Sequence, residues 1–333
     1  MPEPASLDEV RDALASVVIR SPGELEIGGV ACRVPDPIDL YRMSAAAFAT
    51  SPMLALLQAQ IYSRLYCRSA SAALAGEDLT PLLAAANQGE ERWEEGWVVA
   101  GGAAGGMVTA TRDGVSTNLL PEQYVVPPGG LLPVGTPLTA RLTVEAPRWQ
   151  EGFYYALGEV PIDVRHESRM VRVYWNVDEG GAADLVSAVT GVLNAFRIPF
   201  RFKVLNRRGR FNRVDAAVLY APKRWFGALA ELLPRIADPV RGSLGHATPL
   251  MTCRLAPGVA VAEDPGTAGD SFGTHRARLL AMAVWNSYTG GSQDVDTRMA
   301  ALEALFRASG LSLERPYLNA GSADPYASAA FGA

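Results

Sequence analysis

The succession of periodicities between residues 170 and 255 limits this chain's fold more than any other feature in it. Met170–Val177 alternates apolar and polar side chains, as a strand with two unlike faces does. Ala182–Phe196 switches to helical spacing, with Leu185, Val189, Val192 and Leu193 on one side. Pro199–Asn206 and Val214–Ala221 return to the strand period. Trp225–Ile236 reads as a helix and Leu250–Leu255 as a last strand. This β-α-β-β-α-β order is the split-βαβ arrangement. The helical crossover makes the first two strands parallel, and right-handed crossovers put both helices on one face of the sheet. The other face is left open.

The open face is where chemistry is expected. In Pro199–Asn206, PFRFKVLN, the side chains of Phe200, Phe202 and Val204 suit a core, and Arg201 and Lys203 point the other way. The polar set of the first strand, Arg172, Tyr174 and Asn176, lies beside them. Of the 30 Lys+Arg residues only two are lysine, Lys203 and Lys223. A guanidinium stays protonated, whereas a lysine that is desolvated among cations can shed its proton and act as a base. Arg197, Arg201, Lys203, Arg207, Arg208, Arg210 and Arg213 form a cationic run without a carboxylate, in a chain of net charge −5. Such a run suits an anion, most simply a phosphate held by guanidinium forks. It also suits a solvated basic hairpin. His275, in DSFGTHRARLL, stands where a loop becomes a helix. Asp270, Ser271 or Thr274 is available as cap and Arg276 follows directly. His166 and His246 lack such surroundings. Glu263 and Asp264 read as an orienting pair or as part of a turn.

The fold class expected is α+β, in four stretches. Residues 1–90 are a helical N-terminal region, with a helix over 6–18 capped by Ser6, apolar helical spacing within 40–75, and a short helix at Leu79–Asn87. Residues 91–165 are antiparallel and β-rich, with short strands separated by Gly and Pro. There, GGAAGG at Gly101–Gly106 lacks the GK[ST] ending of a phosphate loop and reads as a flexible turn. VPPGGLLP at Val126–Pro133 reads as a stiff loop. Residues 166–290 hold the α+β core, and 291–333 a helix and a tail expected to be loosely held after Pro316. The acidic balance argues against a general nucleic-acid binder. Cys32, Cys67 and Cys253 give neither a disulfide framework nor zinc spacing. The N-terminal residues lack a basic start and apolar run, and no segment reads as a bilayer span. A cytoplasmic protein without membrane partners is expected.

RVYWNV, IPFRFKVLN, RFNRVDAAVLY, LAPGVAVAEDP and SFGTHRARLLA together resemble the HopA-type effector family. That family includes the stand-alone phosphoserine/phosphothreonine lyases of class V lanthipeptide and thioamitide biosynthesis. The resemblance covers roughly Phe153–Trp285. It implies a carbon–oxygen lyase that eliminates phosphate from a ribosomal precursor peptide, leaving dehydroalanine or dehydrobutyrine, without metal or organic cofactor. A cognate kinase is the implied partner. On this reading Lys203 takes the α-proton, and His275, or alternatively Tyr174, protonates the departing oxygen. Arg201, Arg213 and Arg172 hold the phosphate, supported by Arg210 and Arg276, while Asn176, Asn206 and Arg254 touch the substrate. One departure stands out: Cys253 occupies a position where the family pattern carries a lysine. Two other readings remain. One is a non-catalytic phosphopeptide or leader-peptide binding protein, or a HopA-like effector. The other is an RNA-binding module, against which the open face offers one aromatic, Tyr174.

Overall fold

The computed structural model describes residues 6–34, 51–69, 76–102, 104–126, 132–266 and 270–331. The expected helical spacing over 40–50 and most of the VPPGGLLP loop lie outside the described residues. The fold is α+β, with helices and strands at the N-terminus, antiparallel sheets, and helices near the C-terminus. The chain forms two compact units that interleave along the sequence. One takes residues 1–72, 212–215 and 246–333, the other 73–211 and 216–245.

In the first unit, α1 (Leu7–Ala15) begins at Ser6, whose hydroxyl accepts from the Asp8 N–H at 3.2 Å. β1 (Val17–Ser21), β2 (Glu24–Ile27) and β3 (Val30–Arg33) form an antiparallel meander. α2 (Pro52–Gln60) starts on a proline, which suits a first turn, and runs into a π-helical turn at Ile61–Tyr66. β13 (Cys253–Ala256) and β14 (Val259–Glu263) form a hairpin. α6 (Phe272–Thr289) and α7 (Val295–Ala308) follow. Arg298 of α7 is 1% exposed and donates to the Leu14 and Val17 carbonyls, both at 2.6 Å, tying α7 to the N-terminal elements.

The tail is not loosely held. The buried Glu263 carboxylate accepts from the Asn319 N–H at 2.9 Å, Ser322 Oγ at 2.6 Å and Tyr326 Oη at 3.0 Å. Tyr317 and Tyr326 are buried, and the Phe331 N–H donates to the Leu255 carbonyl at 2.9 Å. A buried carboxylate needs donors, and a Gly- and Ser-rich segment with bare N–H groups can supply them.

In the second unit, β4 (Arg92–Gly102), β5 (Val108–Arg112), β6 (Val115–Leu119), β7 (Tyr124–Val125) and β8 (Pro137–Leu142) form an antiparallel sheet in the order β6-β5-β4-β8-β7. Its inner face buries Trp97, Val99, Val108, Ala110, Leu119 and Leu138. α3 (Thr80–Ala86) precedes it. β9 (Phe153–Leu157), β10 (Met170–Trp175), β11 (Arg201–Leu205) and β12 (Ala217–Pro222) form the second layer, in the order β10-β12-β11-β9. β10 and β11 each pair antiparallel with β12 and so run parallel to one another, as a helical crossover requires. α4 (Ala182–Ala195) and α5 (Phe226–Ala237) bury Leu185, Val189, Leu193, Leu229, Leu233 and Ile236, and the strands bury Val171, Val173, Phe202, Val204 and Leu219. Each such side chain contributes about 1.5–3 kcal/mol of transfer free energy.

The expected last strand, Leu250–Leu255, starts later. Thr252 donates its N–H at 3.3 Å and its hydroxyl at 2.6 Å to the Pro249 carbonyl, and Met251 sits at φ +66°. This turn keeps residues 250–252 out of a ladder, and β13 begins at Cys253 in the first unit.

Candidate active-site face

Register fixes which side chains share a sheet face. Arg172 stands opposite Tyr220, Tyr220 opposite Arg201, and Arg201 opposite Leu157. One step along, Tyr174, Val218, Lys203 and Tyr155 form the next row. Directly opposed residues project from the same face. The expected grouping of Arg172 and Tyr174 with Arg201 and Lys203 is therefore present, with β12 between the two pairs.

The face is aromatic and cationic together. Lys203 Nζ lies 4.4 Å from the centroid of the Phe153 ring and 5.9 Å from that of Tyr220. It donates to Gln150 Oε1 at 3.3 Å, and the Tyr155 hydroxyl donates to the same oxygen at 2.8 Å. Gln150 thus links the two side chains. The Arg172 guanidinium sits 5.0 Å from the Tyr220 centroid. Arg201 pairs with Glu167 at 3.1 Å. Burial, with Tyr220 adding, pushes the Tyr155 pKa well up, against the pull of Arg201 and Arg172. Its hydroxyl therefore remains a hydrogen-bond donor at neutral pH. Arg172 and Tyr174 are buried, while Lys203 and Arg201 are half-buried.

Beyond β11 the cations are compensated. Arg208 pairs with Glu77 at 2.8 Å and Glu179 at 3.1 Å, and Arg207 with Asp78 at 3.8 Å. Arg210 donates its N–H to the Arg207 carbonyl at 3.2 Å, closing the turn. The carboxylates missing from the local sequence come from distant stretches, so this hairpin is not an uncompensated basic patch. Asn206 is a stitch: its Nδ2 donates to Thr80 Oγ1 at 3.0 Å and its carbonyl accepts from the Leu79 N–H at 2.9 Å. The Asn176 carbonyl accepts from the Gly245 N–H at 2.8 Å.

The remaining predicted residues belong to the first unit. Arg213 forms a two-point pair with Asp215, at 2.5 Å through Nε and 2.7 Å through a terminal nitrogen. The same terminal nitrogen reaches Cys67 Sγ at 3.1 Å and Tyr62 Oη at 3.5 Å. Burial first, then Asp215, pushes the Tyr62 and Cys67 pKa values up, so both stay neutral. The guanidinium is thereby committed to a carboxylate.

His275 lies in the first turn of α6, behind the capping box of Ser271 and Thr274. Burial, then Arg276 and Arg278, lowers its pKa to about 4. The ring is neutral at pH 7. Its Nδ1 lies 2.8 Å from a terminal Arg276 nitrogen. Arginine only donates, so Nδ1 accepts and the proton is assigned to Nε2. As an acid, His275 would therefore offer a neutral N–H rather than an imidazolium. Arg276 is 1% exposed and donates to the Pro316 carbonyl at 2.8 Å and the Leu318 carbonyl at 3.0 Å. A terminal nitrogen of Arg254 reaches the His246 carbonyl at 3.3 Å. Cys253 is buried. Its pKa is pushed up to about 12, by burial first and then by Asp324, so it cannot replace a lysine's charge.

Sequence reasoning missed Tyr155, Gln150 and Tyr220 as members of the face. The alternation in Phe153–Leu157 was a usable signal, because it puts Tyr155 opposite Tyr154. What it lacked was the pairing of this strand with β11.

The model of the HopA1 effector protein family matches residues 144–318, more than half of the chain, and the chain belongs to that family. Two solved structures are similar, both effector proteins of Pseudomonas syringae. The protein from pv. tomato strain DC3000 is 20% identical with a TM-score of 0.41. The protein from pv. syringae strain 61 is 20% identical with a TM-score of 0.37. Each alignment covers 50% of this chain and 63% of the effector. Among curated proteins none matches. No helix among the described residues is long and apolar enough to cross a membrane.

Proposed function

We propose that this protein is a cytoplasmic lyase that eliminates phosphate from phosphothreonine or phosphoserine in a ribosomal precursor peptide, acting after a partner kinase and belonging to lanthipeptide or thioamitide biosynthesis. The observation that supports it is the register that sets Lys203 among Arg201, Arg172, Tyr155 and Tyr174 on one sheet face. Lys203, once neutral, takes the α-proton. The Cα–H electron pair forms the Cα=Cβ bond, the Cβ–O bond breaks, and its electrons leave with the phosphate. Arg172 and Arg201 bind the phosphate and stabilise the charge it carries away, the kind of fixed electrostatic stabilisation that usually contributes most. Arg201 exchanges Glu167 for the substrate as it does so. A neutral hydroxyl, from Tyr174 or Tyr155, donates to the departing oxygen. Arg213 serves its own unit's stability on this reading.

A second reading, a phosphopeptide-binding protein without turnover, draws on different observations. The Lys203 ammonium is engaged by Phe153 and Gln150, and Cys253 is a neutral thiol where the family pattern has a cation. Incubation with a phosphothreonine peptide separates the two. Inorganic phosphate with a dehydrobutyrine product supports the lyase, and unchanged peptide the binder. Recovered threonine would mean a phosphatase. Lys203→Ala should lower the elimination rate about 10²–10⁴-fold. Unchanged turnover in that variant would remove the base assignment.

A further inference from the structure

A cavity of about 660 Å³ lies in the second unit, within the usual range for a ligand site. Its wall includes Asn118 near the end of β6 and Leu120 just after it, together with Trp149, Phe200 and Arg201. Trp149 is 55% exposed and Leu120 41%, so the cavity's rim carries two large apolar side chains open to solvent.

One backbone amide along this wall is open. Leu120 is already satisfied: its N–H donates to Gln123 Oε1 at 3.0 Å and its carbonyl accepts from the Gln123 N–H at 2.8 Å. Asp113 and Gly114 both have positive φ and make the two-residue turn between β5 and β6. Arg112 and Val115 flank that turn and form a hydrogen-bonded pair, so Ala110 and Thr117 form the next one. Ser116 and Asn118 must then direct their N–H and C=O groups away from β5. Ser116 does so: its N–H donates to Asp163 Oδ2 at 3.4 Å. β6 is the outer strand of its sheet, and no described residue takes the Asn118 N–H. An outward amide beside an apolar hollow fits another extended backbone, the pairing used in β-strand addition.

The cavity is also continuous with the candidate face. Arg201 belongs to both. It stands two residues from Lys203, about 6–7 Å along the strand. The Trp149 ring packs edge-on against Tyr155 at 5.5 Å, and Tyr155 opposes Lys203.

We propose that this groove binds an extended, apolar segment of the substrate peptide flanking its phosphorylated residue, with the segment's backbone paired to Asn118 and its side chains against Trp149 and Leu120. Identifying the occupant as substrate rests on the lyase reading; the groove's preference for an apolar strand does not. The probe is a fluorescein-labelled peptide carrying one phosphothreonine followed by alternating leucine and threonine, with a control in which serine replaces every leucine. Fluorescence anisotropy should give the leucine peptide the lower Kd by about tenfold or more. Trp149→Ala should abolish that preference and leave the serine peptide's Kd unchanged, whereas Asn118→Pro, which removes a backbone pairing indifferent to side chains, should raise the Kd of both peptides about 2–10-fold. Trp149 is exposed and the Asn118 N–H lies outside the ladder, so both variants should fold, as thermal unfolding will check. Equal Kd values for the two peptides, a preference that survives Trp149→Ala, or Kd values unmoved by Asn118→Pro would overturn the proposal. A preference that persists without phosphate release supports the groove and refutes the lyase.

Discussion

Arg213 was expected to clamp phosphate, and its surroundings make a different quantitative demand. Its side chain is 14% exposed and that of Asp215 is 7% exposed, with two hydrogen bonds at 2.5 and 2.7 Å between them. Two buried charges so paired stabilise little relative to a well-packed apolar pair, but separating them is costly. Asp215→Asn keeps the shape and removes the negative charge, stranding a guanidinium beside a neutral thiol and a neutral phenol. The expected loss is about 3–5 kcal/mol. Arg213→Leu strands the carboxylate and should cost a similar amount. The double variant, Arg213→Leu with Asp215→Leu, removes both charges and should recover most of that loss, so the two single effects are strongly non-additive. Urea unfolding followed by far-UV circular dichroism measures all three. If Arg213 instead existed for phosphate, Arg213→Leu would leave the unfolding midpoint near wild type and raise the Kd for a phosphothreonine peptide. That result, or additive single losses, would refute the structural assignment.

Other perturbations follow the same physics. The His275 ring is held neutral in the folded chain, with its pKa lowered from 6.5 to about 4, so the unfolded chain takes up the proton first as pH falls. Stability should be complete above about pH 6.5 and decline toward pH 4, by on the order of 1–2 kcal/mol once solvent screening of a part-exposed ring is allowed for. His275→Gln should flatten that part of a urea-midpoint profile, and an unchanged slope would remove His275 as its source. At Gly273 a Cβ would stand 2.5 Å from a Tyr66 ring carbon and 2.8 Å from one of Tyr62. Gly273→Ala should therefore lower stability by about 1–3 kcal/mol in thermal unfolding, although alanine is the better helix former. Glu263→Ala removes the acceptor of three tail donors. It should cost about 2–4 kcal/mol and open the segment after Pro316 to limited proteolysis, with unchanged cleavage kinetics as the contrary result.

The sequence made visible what depends on alternation and misled where partners are distant. The two faces of β10 and β11 follow from period-two patterning, and their parallel course from one crossover helix. Both hold because the buried faces, with Val171, Val173, Phe202 and Val204, permit only one register. The cationic run from Arg197 to Arg213 looked unopposed because its carboxylates, Glu77, Asp78 and Glu179, are far away in sequence. Charge balance is a property of space, and a local count cannot supply it. Arg213 differs again. Its partner is two residues away, yet the stretch 212–215 packs with a different unit from the strands on either side of it. An alternation argument run through residues 201–213 assumes that the chain stays in one layer, and here it leaves and returns. The tail shows the converse error. Gly, Ser and Ala after Pro316 promise little burial of their own, but Glu263 is a buried carboxylate that must be satisfied, and the cheapest donors are the N–H and hydroxyl groups of such a segment. Low hydrophobicity therefore predicts looseness only where no buried charge recruits the backbone. By the same logic, Gln150, exposed and without any local motif, becomes the link between Lys203 and Tyr155 only when β9 docks beside β11.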